Sequence, residues 1–498
     1  MARYPSRLFG ALVLSGCVRV GPDFQPPAEV WLDHWNSPAI ELASRQRLEP
    51  DVSAWWRVFG DPALDRLIAE ADVHNSNLRI AGLRIMEARA QLGIASRGRY
   101  PQLQQASAES LYLDRQQSGG RNPRDSHFWQ HSLGVDIGWE LDFWGRFSRA
   151  IEAADANYFA AQANYDDVRV LLRAQVADTY YLLRTTEARL RVAVENTALQ
   201  KRSFEITEKL FASGQSDELD LQQAKTQYLA TASSIPELED QVLNARNALA
   251  VLVGRPPGPL AELAEREGLI PLVDHAVLED VPANLLRRRP DIRAAELNVA
   301  AQSALIGVAQ ADLYPSLSLL GSIVWSTSSL SGAPDTLDLV GGPSLRWNLD
   351  FTRTRYNVRV QDARLQQLIE VYRDAVRQAA READDAARGL SKALERERIL
   401  GEAAQSAQRS LSLASAQYRE GLADFQRVLD AQRALLVQQD TYLLTRYSAV
   451  SNLIALYRAL GGGWYGTQPW VDAATHEQMQ QRTHWGDLLD EPGTGAPR

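Results

Sequence analysis

Cysteine occurs once, at position 17, among 498 residues, with only seven histidines and three methionines. A single thiol excludes an intrachain disulfide, a zinc finger and a thiolate-ligated iron–sulfur centre. No histidine stands beside a carboxylate in a nucleophile or metal arrangement, and no glycine loop could cradle phosphate, so the expectation is no enzyme, no catalytic residue and no metal. Lys and Arg number 53 against 62 Asp and Glu, a formal charge of −9 at pH 7. The basic face of a nucleic-acid binder is therefore missing. After the N-terminus nothing reaches about 18 uninterrupted apolar residues, so a membrane could be crossed only by strands closed into a barrel. Gly and Pro are absent from the 68 residues 146–213. Hydrophobic residues still make up 45% of the chain, which rules out wholesale disorder.

Arg3 and Arg7 precede a short apolar run at residues 8–14, followed by Ser15-Gly16-Cys17. A basic start, about 7–15 apolar residues and a small-residue end describe a secretory signal too short to span a bilayer. Leu14-Ser15-Gly16-Cys17 resembles a bacterial lipobox, and the one cysteine falls at its cleavage position. The expectation is a signal peptide over 1–16 and a lipid on Cys17, with Val18 in place of Asp favouring the outer membrane.

Four segments have strand character. In residues 129–143, Trp129, His131, Leu133, Val135, Ile137, Trp139, Leu141 and Phe143 alternate with Gln130, Ser132, Gly134, Asp136, Gly138, Glu140 and Asp142. That length exceeds the roughly 9–11 residues of a tilted membrane strand. Residues 337–351 repeat the pattern through Leu337, Leu339, Leu345, Trp347, Leu349 and Phe351, residues 315–326 show it too, and residues 102–114 show it most weakly. Turn-rich loops at 115–124 and 328–335 join them as two hairpins. An ordinary soluble sandwich edge is the competing reading.

Almost everything else is helical. Val168, Leu172, Val176, Thr179, Leu183, Leu190 and Val194 follow coiled-coil spacing. A helix over 146–213 would be roughly 100 Å long. Residues 422–460 form a second run free of Gly and Pro, and Pro236 is expected to kink the helix that precedes Gly254. The chain also repeats itself. Gly93-Ile94-Ala95 with Tyr100-Pro101 recurs as Gly307-Val308-Ala309 with Tyr314-Pro315, and Trp139-Glu140-Leu141-Asp142-Phe143 as Trp347-Asn348-Leu349-Asp350-Phe351. Phe211, Gly214, Asp217 and Gly254 recur as Tyr418, Gly421, Asp424 and Gly461. The expected divisions are a lipid-anchored segment 17–60, a first repeat 61–254, a linker 255–281, a second repeat 282–461 and a tail 462–498, equatorial or disordered. Closed membrane barrels begin at about eight strands, so four strands per chain predict oligomerisation through their edges.

Five motifs carry a resemblance. They are Gly21-Pro22-Asp23-Phe24, Trp55-Trp56-Arg57-Val58-Phe59-Gly60-Asp61-Pro62, Asp142-Phe143-Trp144-Gly145-Arg146, Arg288-Arg289-Pro290-Asp291-Ile292-Arg293 and Ala459-Leu460-Gly461-Gly462-Gly463-Trp464. In these the chain resembles TolC-like outer-membrane factors, in particular the lipoprotein branch serving resistance–nodulation–division efflux pumps. The resemblance implies an α+β membrane protein: a homotrimer with a twelve-stranded β-barrel, continued by a long periplasmic α-helical barrel with a mixed equatorial region. It implies a passive exit duct for small molecules such as drugs, gated at its periplasmic tip. Its partners would be a periplasmic adaptor, an inner-membrane transporter and outer-membrane lipid, with no cofactor beyond the lipid on Cys17. A duct for one-step protein secretion and a structural coiled-coil lipoprotein remain alternatives.

The same resemblance places the gate at Asp430, Arg427, Gln426, Tyr418 and Asp220. Asp430 matches a ring-forming aspartate, with Arg427 one turn earlier as a partner within or between chains. Gln426 stands where relatives carry a bulky apolar residue. Tyr418 and Asp220 match a latch between helix pairs, and Ala423 replaces an arginine of that latch. Gly214, Ser216, Gly421 and Asp424 are the adaptor-contact candidates, from their place at the tip.

Overall fold

The computed structural model of the chain describes residues 19–28, 52–115, 126–263, 270–273, 288–330, 334–464 and 469–489. Cys17, the expected signal peptide and most of the first hairpin loop lie outside these residues. The described residues fall into two compact units, one drawn from 19–28, 85–161 and 294–372, the other from 52–84, 162–293 and 373–489.

In the first unit, β1 (Leu103–Arg115), β2 (Ser126–Glu140), β3 (Ser316–Ser328) and β4 (Thr336–Arg346) form one antiparallel sheet in that order. Directly opposed residues of antiparallel strands share a face. The register sets Leu133 against Trp325 and Trp325 against Leu337; Val135 faces Ile323, which faces Leu339. The apolar alternation of β2 thus continues across three strands. That apolar face is exposed, Leu133 at 55% and Leu339 at 70%; on the opposite face Gly134 and Gly138 are buried, while Leu320 and Val340 are open. A sheet made for water does the reverse. Among the described residues β1 and β4 each have one strand neighbour, leaving two open edges.

The strands expected to reach Phe143 and Phe351 end earlier, at Glu140 and Arg346. The cause is helix capping by the aspartate of the repeated motif. Asp142 accepts from the backbone N–H of Phe147 and Ser148, both at 2.9 Å. Asp350 accepts from Arg353 N–H at 3.0 Å. The neighbouring indoles tie each corner to the start of β3: Trp144 Nε1 donates to the Pro315 carbonyl and Trp347 Nε1 to that of Leu313.

Helices α1 (Pro62–His74) and α2 (Ser76–Ser96) lead into β1, and α3 (Arg146–Ala212), α4 (Glu218–Ala232) and α5 (Ser234–Leu252) follow β2. Helix α6 (Pro290–Ala311) leads into β3, α7 (Phe351–Arg419) and α8 (Phe425–Ala459) follow β4, and α9 (Ala473–Thr483) lies in the tail. α3 runs 67 residues and α7 69 without interruption. The interruption between α4 and α5 falls at Ser233, three residues before Pro236, whose ring denies the preceding turn a hydrogen bond. No helix among the described residues is long and apolar enough to cross a membrane.

The second unit gathers several of the sequence motifs into two buried ionic nodes. Arg173 and Asp72, both nearly buried, are bonded from Nε to Oδ1 and Oδ2 at 3.1 Å each. The same guanidinium donates to the Gly463 carbonyl and lies 4.9 Å from the Trp56 ring centroid. Trp55 stacks on Tyr457 of α8 at 5.4 Å. In the other node Arg289 bonds Asp291 at 3.0 and 2.8 Å, Glu382 of α7 at 3.1 Å and the Ala459 carbonyl at 2.9 Å. A cavity of about 220 Å³ beside it is lined by Asp167, Arg458 and Gly461 among others. In the tail, Arg79 of α2 pairs with Asp472 at 2.7 Å, and the Trp470 carbonyl leaves no room for a Cβ at Gly82.

Candidate functional site

The residues expected at the tip lie in two helix-to-helix turns of the second unit. Each turn begins where a helix ends on glycine in the left-handed region: Gly214 at φ 74° and Gly421 at φ 72°. Gly214 N–H donates to the Phe211 carbonyl and Gln215 N–H to that of Leu210; Gly421 and Leu422 bond Tyr418 and Gln417 in the same way. This double bond is the Schellman closure, which only a residue tolerating positive φ can make cheaply. Gly254 and Gly461, the matching glycines of the next helix ends, do the same. Nothing lies within 4 Å of a Cβ added at Gly214 or Gly421. Gly214→Ala and Gly421→Ala are therefore expected to cost about 1 kcal/mol each through the backbone alone. Faster amide exchange confined to the two turns would show this; unchanged exchange would mean the caps hold no strain.

The helices beyond the turns start in different ways. Asp217 caps α4 by accepting from Asp220 N–H at 2.9 Å, and Ser216 Oγ donates to the Asp220 carboxylate at 3.2 Å. Asp424 occupies the cap of α8 without a capping bond, so its carboxylate stays exposed. Leu422 in that turn is 72% exposed. Beneath both turns Phe425, Val428, Leu429 and Leu435 of α8 pack with Leu411 of α7 and Ala224 of α4. Tyr418 closes this cluster, its ring 5.2 Å from that of Phe425. Burial, and then the charge of Asp220, push the Tyr418 hydroxyl above its ordinary range. The two residues are within electrostatic reach but not hydrogen-bonded.

Asp430 projects from the exposed face of α8. Gln426 Nε2 donates to its Oδ1 at 3.0 Å, and Arg433 Nη1 stands 3.6 Å from the same oxygen. Within the chain its ionic partner is thus Arg433, one turn later, in place of Arg427, whose carboxylate contact the structure does not form. Arg433 also donates to Gln227 of α4 at 2.8 Å, which couples the Asp430 face to the neighbouring helix. Sequence reading missed Arg433 although its spacing of three from Asp430 was visible. Several arginines stand three or four residues from a carboxylate here, and spacing alone does not rank them.

A second locus lies in the first unit, at residues 19–28. Arg149, its side chain 3% exposed, donates to the carbonyls of Val20 and Gly21 and to Asp23 at 2.7 Å. Val20 N–H bonds the Trp144 carbonyl at 3.1 Å. A Cβ on Gly21 would meet Gly307 Cα at 2.4 Å. The Gly21–Phe24 motif, the Asp142–Arg146 motif and the repeated segment at Gly307 therefore meet here, with backbone passing against backbone at the Gly21–Gly307 pair.

Comparison with known proteins agrees with this architecture. The family described as outer membrane efflux protein matches residues 67–255 and 281–462. The probable outer membrane lipoprotein SilC of Salmonella typhimurium is 31% identical over 471 residues, covering 91% of this chain and 97% of SilC. The cation efflux system protein CusC of Escherichia coli is 32% identical over 469 residues, covering 91% and 98%. The solved structure of the outer-membrane channel OprN superposes with a TM-score of 0.81 at 32% identity, covering 89% of this chain and 99% of OprN. The chain belongs to the outer membrane efflux protein family and is an outer-membrane efflux channel of TolC-like fold, of a Gram-negative cell, reaching into the periplasm.

Proposed function

We propose that three copies of the chain close one barrel of twelve strands and form a passive exit duct of a tripartite efflux pump. An adaptor would join it to an inner-membrane transporter. The observation that carries this reading is the sheet with an exposed apolar face and two open edges. Hydrocarbon favours such a face, and closure alone removes such edges. Trp129 and Trp139, both on the apolar face of β2, stand ten residues apart. That is about 33 Å of strand, or about 25 Å of height at the tilt of membrane strands. The spacing matches two interfacial girdles.

A lipid on Cys17 would stand two residues before Arg19 in the sequence. The relative SilC, a probable outer membrane lipoprotein, supports that anchor. The turns at Gly214 and Gly421, with Ser216 and Asp424, are the surfaces offered to the adaptor. Three copies of Asp430 would ring the pore and favour cations, each tempered by Arg433. Gln426, Arg427, Tyr418 and Asp220 would flank that ring. The two strand hairpins, each flanked by helices, would be the two halves of the internal repeat, joined by the linker at 255–281. The efflux relatives favour small-molecule efflux over one-step protein secretion.

An epitope inserted between Gly119 and Gly120 tests the reading. It is expected to stain intact Gram-negative cells, with a periplasmic marker silent. Staining only after permeabilisation, in folded protein, would leave a periplasmic coiled-coil lipoprotein instead.

A further inference from the structure

The face of the sheet turned away from lipid on the duct reading is not uniformly polar. By the strand register, one row across it reads Leu103, Gly138, Leu320 and Gly342, and the next reads Gln105, Asp136, Ser322 and Val340. Leu103 is 44% exposed, Leu320 46% and Val340 66%. These three side chains, with Asp136, Ser322 and Gly342, line a cavity of about 460 Å³. Glycine shapes it. A Cβ on Gly138 would meet Leu103 Cβ at 3.2 Å and Leu320 Cδ2 at 3.3 Å, so both leucines lean over that position. A Cβ on Gly342 would meet nothing within 4 Å, which leaves the hollow open beside Leu320 and Val340.

The charge of this face has one sign. From Leu103 to Leu113 on β1, Phe128 to Glu140 on β2, Ser318 to Ser326 on β3 and Thr336 to Ser344 on β4, it carries Glu109, Asp136, Glu140 and Asp338 and no Lys, Arg or His. Glu140 has Arg146 at 3.5 Å. Asp136 is half-buried at the edge of the hollow, and among the described residues no cation or hydrogen-bond donor partners its carboxylate. Asp136 and Val340 stand in one row, two strand spacings or about 10 Å apart, with Ser322 between them. A hollow with an apolar wall and a single carboxylate at its rim selects by both properties. The carboxylate rejects anions. The apolar wall disfavours a small hydrated cation, which would lose water there without a partner.

We propose that this hollow binds amphiphilic organic cations of the arylalkyl-ammonium kind. The apolar body lies on Leu320 and Val340 over Gly342, and the ammonium stands against Asp136. The inference rests on the duct reading, in which this face lines the exit path, and adds a chemical class of solute held on the way out.

The test uses the full-length protein in detergent, with benzyltrimethylammonium as probe, ligand-detected magnetic resonance for affinity and the thermal midpoint as a folding control. Tetramethylammonium keeps the charge without the body, and toluenesulfonate keeps the body with the opposite charge. Both are expected to bind at least roughly tenfold more weakly than the probe. Asp136→Asn is expected to weaken the probe by roughly fivefold, the worth of a half-exposed ion pair. Gly342→Leu, which fills the hollow without a clash, is expected to weaken it by roughly tenfold. Glu109→Gln, four residues along β1 from Gln105, is expected to leave it unchanged. Equal losses in Glu109→Gln and Asp136→Asn, or tetramethylammonium binding as tightly as the probe, would show only diffuse charge and overturn the site. Toluenesulfonate binding as tightly would show only an apolar patch and overturn it too. In planar bilayers the probe is expected to lower the wild-type current and to spare that of Gly342→Leu. A wild-type chain that binds the probe with this pattern yet conducts nothing would keep the site and count against the duct.

Discussion

Replacing Arg173 by alanine is expected to cost about 3–5 kcal/mol of stability, because it leaves the Asp72 carboxylate buried without its cation. Asp72 sits with 5% of its side chain exposed, so water cannot take over. The loss would reach further than one ion pair. The guanidinium also holds the Gly463 carbonyl and covers the face of Trp56, so it binds the Trp55–Pro62 and Ala459–Trp464 motifs to α3. Arg173→Lys should recover only part of the loss, since an ammonium cannot reproduce the fork or the stacking. Denaturant unfolding of the detergent-solubilised protein would show a lower midpoint, and adding Asp72→Asn should restore some of it. A change below 1 kcal/mol in Arg173→Ala would mean that the motifs are held by apolar packing alone.

Asp167→Asn is expected to stabilise the protein at neutral pH and to leave it unchanged near pH 4. Burial pushes the Asp167 carboxyl up to about 6; the nearby Asp291 and Glu382 charges add to this, while Arg289 and Arg458 oppose it. Asp166 is also pushed up to about 6, by burial against the pull of Arg169 and Arg293. Both folded values lie above the ordinary 3.8. Their contribution to stability is therefore complete below about 4 and is lost as pH rises through about 6. The gain from the asparagine at pH 7.5 should be at most about 3 kcal/mol, the worth of two pKa units. Thermal midpoints from pH 4 to 8 would follow a shallower decline in the variant. Parallel curves would show that Asp167 titrates normally.

Strand existence was legible because alternating Trp, Leu, Val and Ile over more than ten residues can satisfy only a sheet with one apolar face. Strand ends were not. Leu141, Phe143, Leu349 and Phe351 prolong the alternation, and only the capping bonds of Asp142 and Asp350 tell that the chain has turned into a helix. The tip glycines were legible because a helix ending on glycine between two long apolar runs has one common geometry. The ionic partner of Asp430 was not, since helical spacing offers several arginines. The burial of Gln200 and Thr207 on α3 was also hidden, since both resemble solvated positions in the sequence. The Arg173–Asp72 node joins residues 101 positions apart, and nothing local marks either as a partner of the other. The lipid site expected at Cys17 lies outside the described residues.

The two open edges of the sheet also bear on gene dosage. A sheet entering hydrocarbon with unpaired backbone along β1 and β4 would strand polar groups at several kcal/mol each, so on the proposed barrel insertion would await a full complement of copies. If that complement is three, assembly varies steeply with chain abundance. A copy with one edge blocked would then poison every ring it joins. With half of all copies blocked, only about one ring in eight would close. Blocking half of the copies would thus remove about seven-eighths of the rings, and such alleles would behave as dominant.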